Sequence, residues 1–209
     1  MLSVKICGIT RLEDALAAVE EGASAVGFIF VPSSPRRVAA AAAASIIRRL
    51  PPFVTPVGVF VNEAREAILR TIDETGIRCL QLHGDESPDE TQGYPLPVIK
   101  SFRVGEGFDI ARLRAYDAAA YLLDTAVPGV YGGTGKTFDW AIARRATAVG
   151  RIVLGGGITP GNVARAATES GAYAIDLSSG VESAPGIKDR KRMRELFENL
   201  RGAGAPRLS

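Results

Sequence analysis

A chain of 209 residues, 46% of them hydrophobic, is long enough to close one substantial core and short for two domains. Its 25 basic and 23 acidic residues leave a formal charge of +2, which gives no reason to expect a nucleic-acid surface, and no apolar run approaches the roughly 18 residues of a membrane span. Two distant cysteines and one histidine argue against a disulfide framework and a dedicated zinc cluster, so no metal is expected. Met1-Leu2-Ser3-Val4-Lys5 leads straight into a strand without the regions of a signal peptide, and the expected compartment is the cytoplasm.

Val4 to Gly8 reads as a short buried strand followed by a glycine turn. Thr10 and Glu13 have capping-box spacing, Leu12, Ala15, Leu16 and Val19 share one helical face, and Gly22 supplies a stop. The unit then repeats. Ala25 to Phe30 is a strand, followed by a loop through Arg36 and Arg37 and an alanine-rich helix reaching Ile47. Val57 to Val61 leads through Asn62, read as a cap, into a helix with Ile68, Leu69 and Ile72 on its apolar side.

Cys79 to His83 is the fourth strand, with a short helix near Ser87 to Gln92; Pro97 to Phe102 is the fifth, with a modest helix near Asp109 to Arg114. Ala120 to Asp124 is the sixth, and a glycine-rich loop from Pro128 to Thr137 precedes a helix over Trp140 to Ala148. Arg151 to Leu154 runs into Gly155-Gly156-Gly157, after which Thr159 as N-cap and Pro160 in the first turn open the next helix. Tyr173 to Leu177 is the eighth strand, Ser178 to Glu182 its loop, and Met193, Leu196, Phe197 and Leu200 stripe the last helix.

Strict alternation of strand and helix with short connections implies parallel pairing, and eight such units close into an α/β single-domain (βα)8 TIM barrel over residues 1–201, with 202–209 as a flexible tail. In such barrels the loops after strands seven and eight often bind phosphate. Gly156 and Gly157 occupy the first of those loops and Ser178, Ser179 and Gly180 the second, offering close backbone approach, main-chain amides and hydroxyls. Tight turns alone would also explain either loop. Gly132 to Thr137 ends like a nucleotide P-loop, but its first glycine would have to stand at Val130, so nucleotide hydrolysis is set aside. Lys136 on that loop is read as a cover for an anionic substrate or as a solvated lysine.

Cys7 and Asp124 end strands one and six and so share the C-terminal rim, the ligand-binding face of these folds. A carboxyl can donate a proton, and a thiol can supply a thiolate base where its surroundings favour the anion, with Lys5 close in sequence to assist. The plainer readings are a buried cysteine that packs as a small hydrophobe and an aspartate that caps or pairs.

Lys5 to Thr10, Gln81 to Gly84, Leu122 to Asp124, Gly132 to Trp140 and Asp176 to Glu182 together resemble phosphoribosylanthranilate isomerase of tryptophan biosynthesis, over nearly the whole chain from Lys5 to about Asp189. The resemblance implies a cofactor-free Amadori rearrangement of N-(5-phosphoribosyl)anthranilate to 1-(2-carboxyphenylamino)-1-deoxyribulose 5-phosphate. It further implies Cys7 as general base, Asp124 as general acid and Arg36 as holder of the anthranilate carboxylate. Arg37 is read as a solvated neighbour, His83 as structural more than catalytic, and Gln81 and Asp176 as inward-facing support. Gly155 stands where relatives often carry Ala or Ser, and a third glycine there could loosen the phosphate loop.

Two rival readings are a bifunctional barrel that also isomerises the related histidine-pathway aminoaldose and a sugar-phosphate sensor without turnover. The first would want a second anion site and usually has Asp in place of Cys7; the presence of both Cys7 and Asp124 argues against the second. The expected partner is the small phosphorylated substrate, without nucleic acid or membrane, and the sequence does not distinguish monomer from homodimer.

Overall fold

The computed structural model describes residues 2–125 and 137–202. Eight parallel strands, β1 (Ser3–Cys7), β2 (Ala25–Ile29), β3 (Thr55–Phe60), β4 (Cys79–Leu82), β5 (Val98–Val104), β6 (Ala120–Thr125), β7 (Ile152–Leu154) and β8 (Ala174–Leu177), pair in chain order. β1 is hydrogen-bonded to both β2 and β8, which closes the barrel. Around it lie α1 (Leu12–Glu21), α2 (Ala40–Ile47), α3 (Arg65–Thr75), α4 (Trp140–Ala146), α5 (Val163–Ser170) and α6 (Arg190–Gly202). No helix among the described residues is long and apolar enough to cross a membrane.

Successive strand residues point to opposite faces, and the packing shows which face is which. Ile6, Val26, Phe28, Leu123, Leu154 and Ile175 pack outward with the helices, whereas Ala120, Leu122, Val153 and Ala174 form a separate small cluster inside the barrel. Asp124 therefore follows Ala120 and Leu122 inward, and Cys7 and Lys5 lie on the opposite face of β1 from Ile6. The Lys5 Nζ to Asp176 Oδ1 ion pair, 2.8 Å long, fills the interior above that cluster.

The expected fourth and fifth helices are 3-10 segments at Asp89–Thr91 and Ile110–Ala115, too short to hold more than a turn or two. Three expected caps serve elsewhere. Thr10 leaves Arg11 at the cap of α1 with no side-chain hydrogen bond, and its own hydroxyl donates to Gly186 O at 2.6 Å. Asn62 adopts a positive φ of 48° two residues before the cap of α3, and staples the loops after β3 and β4 by donating from its amide to Glu86 and accepting from Asp85 N. Helix α5 begins at Val163, so Thr159 and Pro160 precede it and Asn162 holds the cap position.

The connection after β8 carries a feature the sequence reading leaves as plain loop. A 3-10 turn at Ser179–Val181 leads into a small antiparallel hairpin, β9 (Glu182–Ala184) and β10 (Ile187–Lys188), turning through Gly186 at φ 79°. Thr10 holds its tip, and Lys188 N donates to Asp14 Oδ2 at 3.0 Å on α1.

Candidate active site

Cys7 closes β1 opposite Gly27 of β2 and is 5% exposed. A Cβ at Gly27 would lie 2.8 Å from the Cys7 sulfur and 3.0 Å from Lys5 Nζ, so only glycine on β2 leaves space for the thiol and ammonium side by side. Burial pushes the Cys7 thiol above its ordinary value; Lys5 draws it back, as Lys188 does more weakly, without cancelling the burial. The expected thiolate is thus not the resting form at neutral pH. Burial presses Lys5 toward neutrality, but the Asp176 carboxylate 2.8 Å away outweighs it and holds the ammonium protonated.

Asp124, 7% exposed, accepts from Thr125 N through Oδ1 at 2.7 Å and presents Oδ2 to His83 Nε2 at 3.4 Å. Gln81 Nε2 lies 2.8 Å from His83 Nδ1. With the amide nitrogen as donor to Nδ1, the imidazole N–H is assigned to Nε2, facing the carboxylate. His83 also lines a cavity of about 140 Å³ between the ends of β4 and β5, with Ser101, Arg103, Phe108 and Arg112.

The two glycine-containing loops stand between these groups. Gly156 and Gly157 have φ of 79° and 67°, and a Cβ at Gly156 would sit 2.6 Å from Asp124 Oδ1, so the first loop leans directly on the carboxyl group. Gly155 is held by its amide to Leu123 O at 2.8 Å. Asn162 braces it from the far side, accepting from Thr159 N and donating to Gly157 O. Gly180 packs so closely that a Cβ would lie 2.0 Å from Ile158 O, locking the second loop onto the first. The Ser178 hydroxyl is buried and has no hydrogen-bond partner among the described residues, 3.0 Å from where a Cβ of Gly8 would stand.

Arg36 lies across Gly8, its Cδ 2.8 Å from that same Cβ position, and its guanidinium forks onto Glu182. Arg37 is exposed, as expected. Contacts thus run around the rim from Arg36 through Gly8 and Ser178 to Gly180, Gly156, Asp124 and His83. Cys7 sits inside that ring beside Lys5. Lys136 and the glycine-rich segment before Thr137 lie outside the described residues.

Sequence reasoning passes over Gly27, Gly8 as a bed for Arg36, Asn162, Lys188 and the role of Glu182. The Asp176 to Glu182 motif contains that glutamate, but its partner is 146 residues away.

A family model described as N-(5'-phosphoribosyl)anthranilate (PRA) isomerase matches residues 4–199. The N-(5'-phosphoribosyl)anthranilate isomerase of Citrifermentans bemidjiense is 52% identical over 197 residues, covering 94% of this chain and 96% of its own. That of Pelobacter propionicus is 50% identical over 197 residues, with 94% of each chain covered. The crystal structure of the enzyme from Thermotoga maritima is similar with a TM-score of 0.90 at 43% identity, covering 97% of this chain and all 100% of that one. Another structure, in complex with reduced 1-(o-carboxyphenylamino)-1-deoxyribulose 5-phosphate, gives a TM-score of 0.87 at 40% identity over 97% of this chain and 100% of that one. With fold, motifs and near full-length identity in agreement, the chain belongs to the N-(5'-phosphoribosyl)anthranilate isomerase family.

Proposed function

We propose that this isomerase of tryptophan biosynthesis carries out the Amadori rearrangement of N-(5-phosphoribosyl)anthranilate with Cys7 as general base and Asp124 as general acid. Asp124 gives its proton to the furanose ring oxygen, and the ring opens to a protonated Schiff base. Cys7 then takes the proton from C2′, giving an enolamine that tautomerises to the ketone of 1-(2-carboxyphenylamino)-1-deoxyribulose 5-phosphate. These are proton transfers between positioned groups, the work of general acid–base catalysis. Before the C2′ step the Cys7 thiol gives up its own proton to solvent, and the Schiff-base cation together with Lys5 favours the resulting thiolate.

The observation that carries this reading is the contact between the phosphate-loop backbone and the acid. Gly156 abuts the Asp124 carboxyl group, so a phosphate on the amides of Gly156, Gly157, Ser179 and Gly180 would tether the sugar beside the proton donor. The buried hydroxyl of Ser178, unpartnered among the described residues, supplies a further donor at the same place. Arg36 reaches the rim from the β2 side and receives the anthranilate carboxylate, a task suited to its planar donor fork. Both cysteines are free, which supports a reducing compartment and hence the cytoplasm.

The test is to supply freshly generated phosphoribosylanthranilate and follow the decay of its fluorescence, identifying the product by mass. The expected result is conversion to the isomeric ketose phosphate. A decay no faster than in buffer would remove the reading.

A further inference from the structure

The Arg36 guanidinium arrives at the rim already gripped. Nε donates to both oxygens of Glu182 at 2.9 and 3.0 Å, and Nη2 donates to Oε2 at 2.7 Å. Glu182 is 6% exposed and also accepts from Lys188 Nζ at 2.7 Å and from Gly186 N at 3.3 Å. The carboxylate therefore belongs to the β9–β10 hairpin, which is fastened to the first loop by Thr10 and to α1 by Asp14.

We infer that Glu182 is a positioning residue for substrate recognition: its buried carboxylate fixes the guanidinium of Arg36 so that the opposite N–H edge meets the substrate's aryl carboxylate. The inference rests on the reading of Arg36 given above. A guanidinium has five N–H donors in a rigid fork. Engaging the Nε edge on Glu182 leaves the remaining Nη1 and Nη2 hydrogens as a second edge, whose spacing suits a bidentate carboxylate. Charge supports the same role, because Glu182 is one anion against the two cations Arg36 and Lys188, and the cluster stays net positive until an anion joins it. Gly8 completes the device by letting the arginine stem lie flat against the β1 turn, where a side chain at φ 76° would push it away. A long, flexible side chain held this way loses little further freedom when substrate binds.

The test compares two substrates on the full chain: N-(5-phosphoribosyl)anthranilate and N-(5-phosphoribosyl)aniline, which lacks the ortho carboxylate. Parent, Arg36→Met, Glu182→Gln and the double variant are assayed for kcat and KM by product formation. Glu182→Gln is expected to raise KM for the carboxylated substrate by about 10-fold or more, the scale of a lost charge-assisted contact, and to leave KM for the aniline substrate little changed. On top of Arg36→Met it should add nothing for the carboxylated substrate. Equal damage to both substrates, or effects of the two substitutions that simply add, would overturn the inference and leave Glu182 a structural residue. If Glu182→Gln does not fold, Glu182→Asp keeps the charge beside Lys188 but withdraws the carboxylate by one methylene. It should lose the same preference for the carboxylated substrate, and an unchanged preference would count against the inference. If Arg36→Met itself fails to discriminate the two substrates, the carboxylate reading of Arg36 falls, and this inference with it.

Discussion

Around Cys7 the barrel is crowded with formal charge: Lys5 and Asp176 inside, then Lys188, Glu182 and Arg36 toward the rim, each cation facing a carboxylate. Around Asp124 the immediate neighbours among the described residues are the Thr125 amide, the Gly156 backbone and a histidine held by a glutamine amide. On the roles proposed for Cys7 and Asp124, the difference teaches how one mouth would prepare two opposite tasks. A buried thiol becomes a base only where a cation favours its anion, and buried cations persist only when paired, so the base side needs a network of ions. An acid that must aim one oxygen at a substrate needs orientation, which hydrogen bonds supply.

The sharpest way to break this division is to remove each end. Cys7→Ala and Asp124→Asn are each expected to lower kcat by about 10²-fold or more, the usual scale for a general base or acid. A loss confined to one would show that only one side does chemistry. Next in size is the effect of charge on the base side. Because burial holds the folded thiol above its ordinary value, kcat/KM should still be rising with pH beyond the range in which a free thiol titrates. Lys5→Met removes the strongest opposing influence and should move that limb to higher pH, with a greater loss at pH 7 than at pH 10. A limb that stays in place would separate Lys5 from the sulfur.

On the acid side, His83→Asn should reduce kcat by only about 3- to 10-fold, the worth of one orienting contact, and leave the alkaline limb unmoved. A shift of the limb would mean that the two sides are not independent. The smallest effect concerns stability. Burial raises the Glu182 carboxyl, but the hydrogen bonds from Arg36 and the charge of Lys188 more than reverse this and set it below its unfolded value. Its stabilising contribution is therefore complete above the unfolded value of about 4.3 and is lost as pH falls through the lower folded one. Thermal melts from pH 6 to pH 3 should fall more steeply for the parent than for Glu182→Gln, and parallel curves would contradict the sign.

Local pattern was enough to read the eight strands and the barrel, because each strand is a short apolar run and a glycine such as Gly22 stops the helix that follows. The placement of Cys7 and Asp124 was legible for a related reason, since both stand at the C-terminal end of a strand, on the side of the barrel mouth. Capping was not legible, because Thr10 and Asn62 have partners that only tertiary folding brings near, and Thr159 yields the cap position to Asn162 three residues on. The β9–β10 hairpin escaped because two or three residues per strand carry no period, and Gly186 alone marks the turn. Gly27 and Glu182 were visible as letters but not as functions. What gives them meaning is a sulfur on the neighbouring strand and a guanidinium from the opposite end of the chain.

The most direct measurement is a crystal structure of this protein with reduced 1-(o-carboxyphenylamino)-1-deoxyribulose 5-phosphate bound. The account predicts phosphate on the amides of Gly156, Gly157, Ser179 and Gly180, the Cys7 sulfur and Asp124 carboxyl on opposite sides of the sugar carbons, and the aryl carboxylate on the free edge of Arg36. A phosphate held elsewhere, or a sulfur with no sugar carbon in reach, would contradict it.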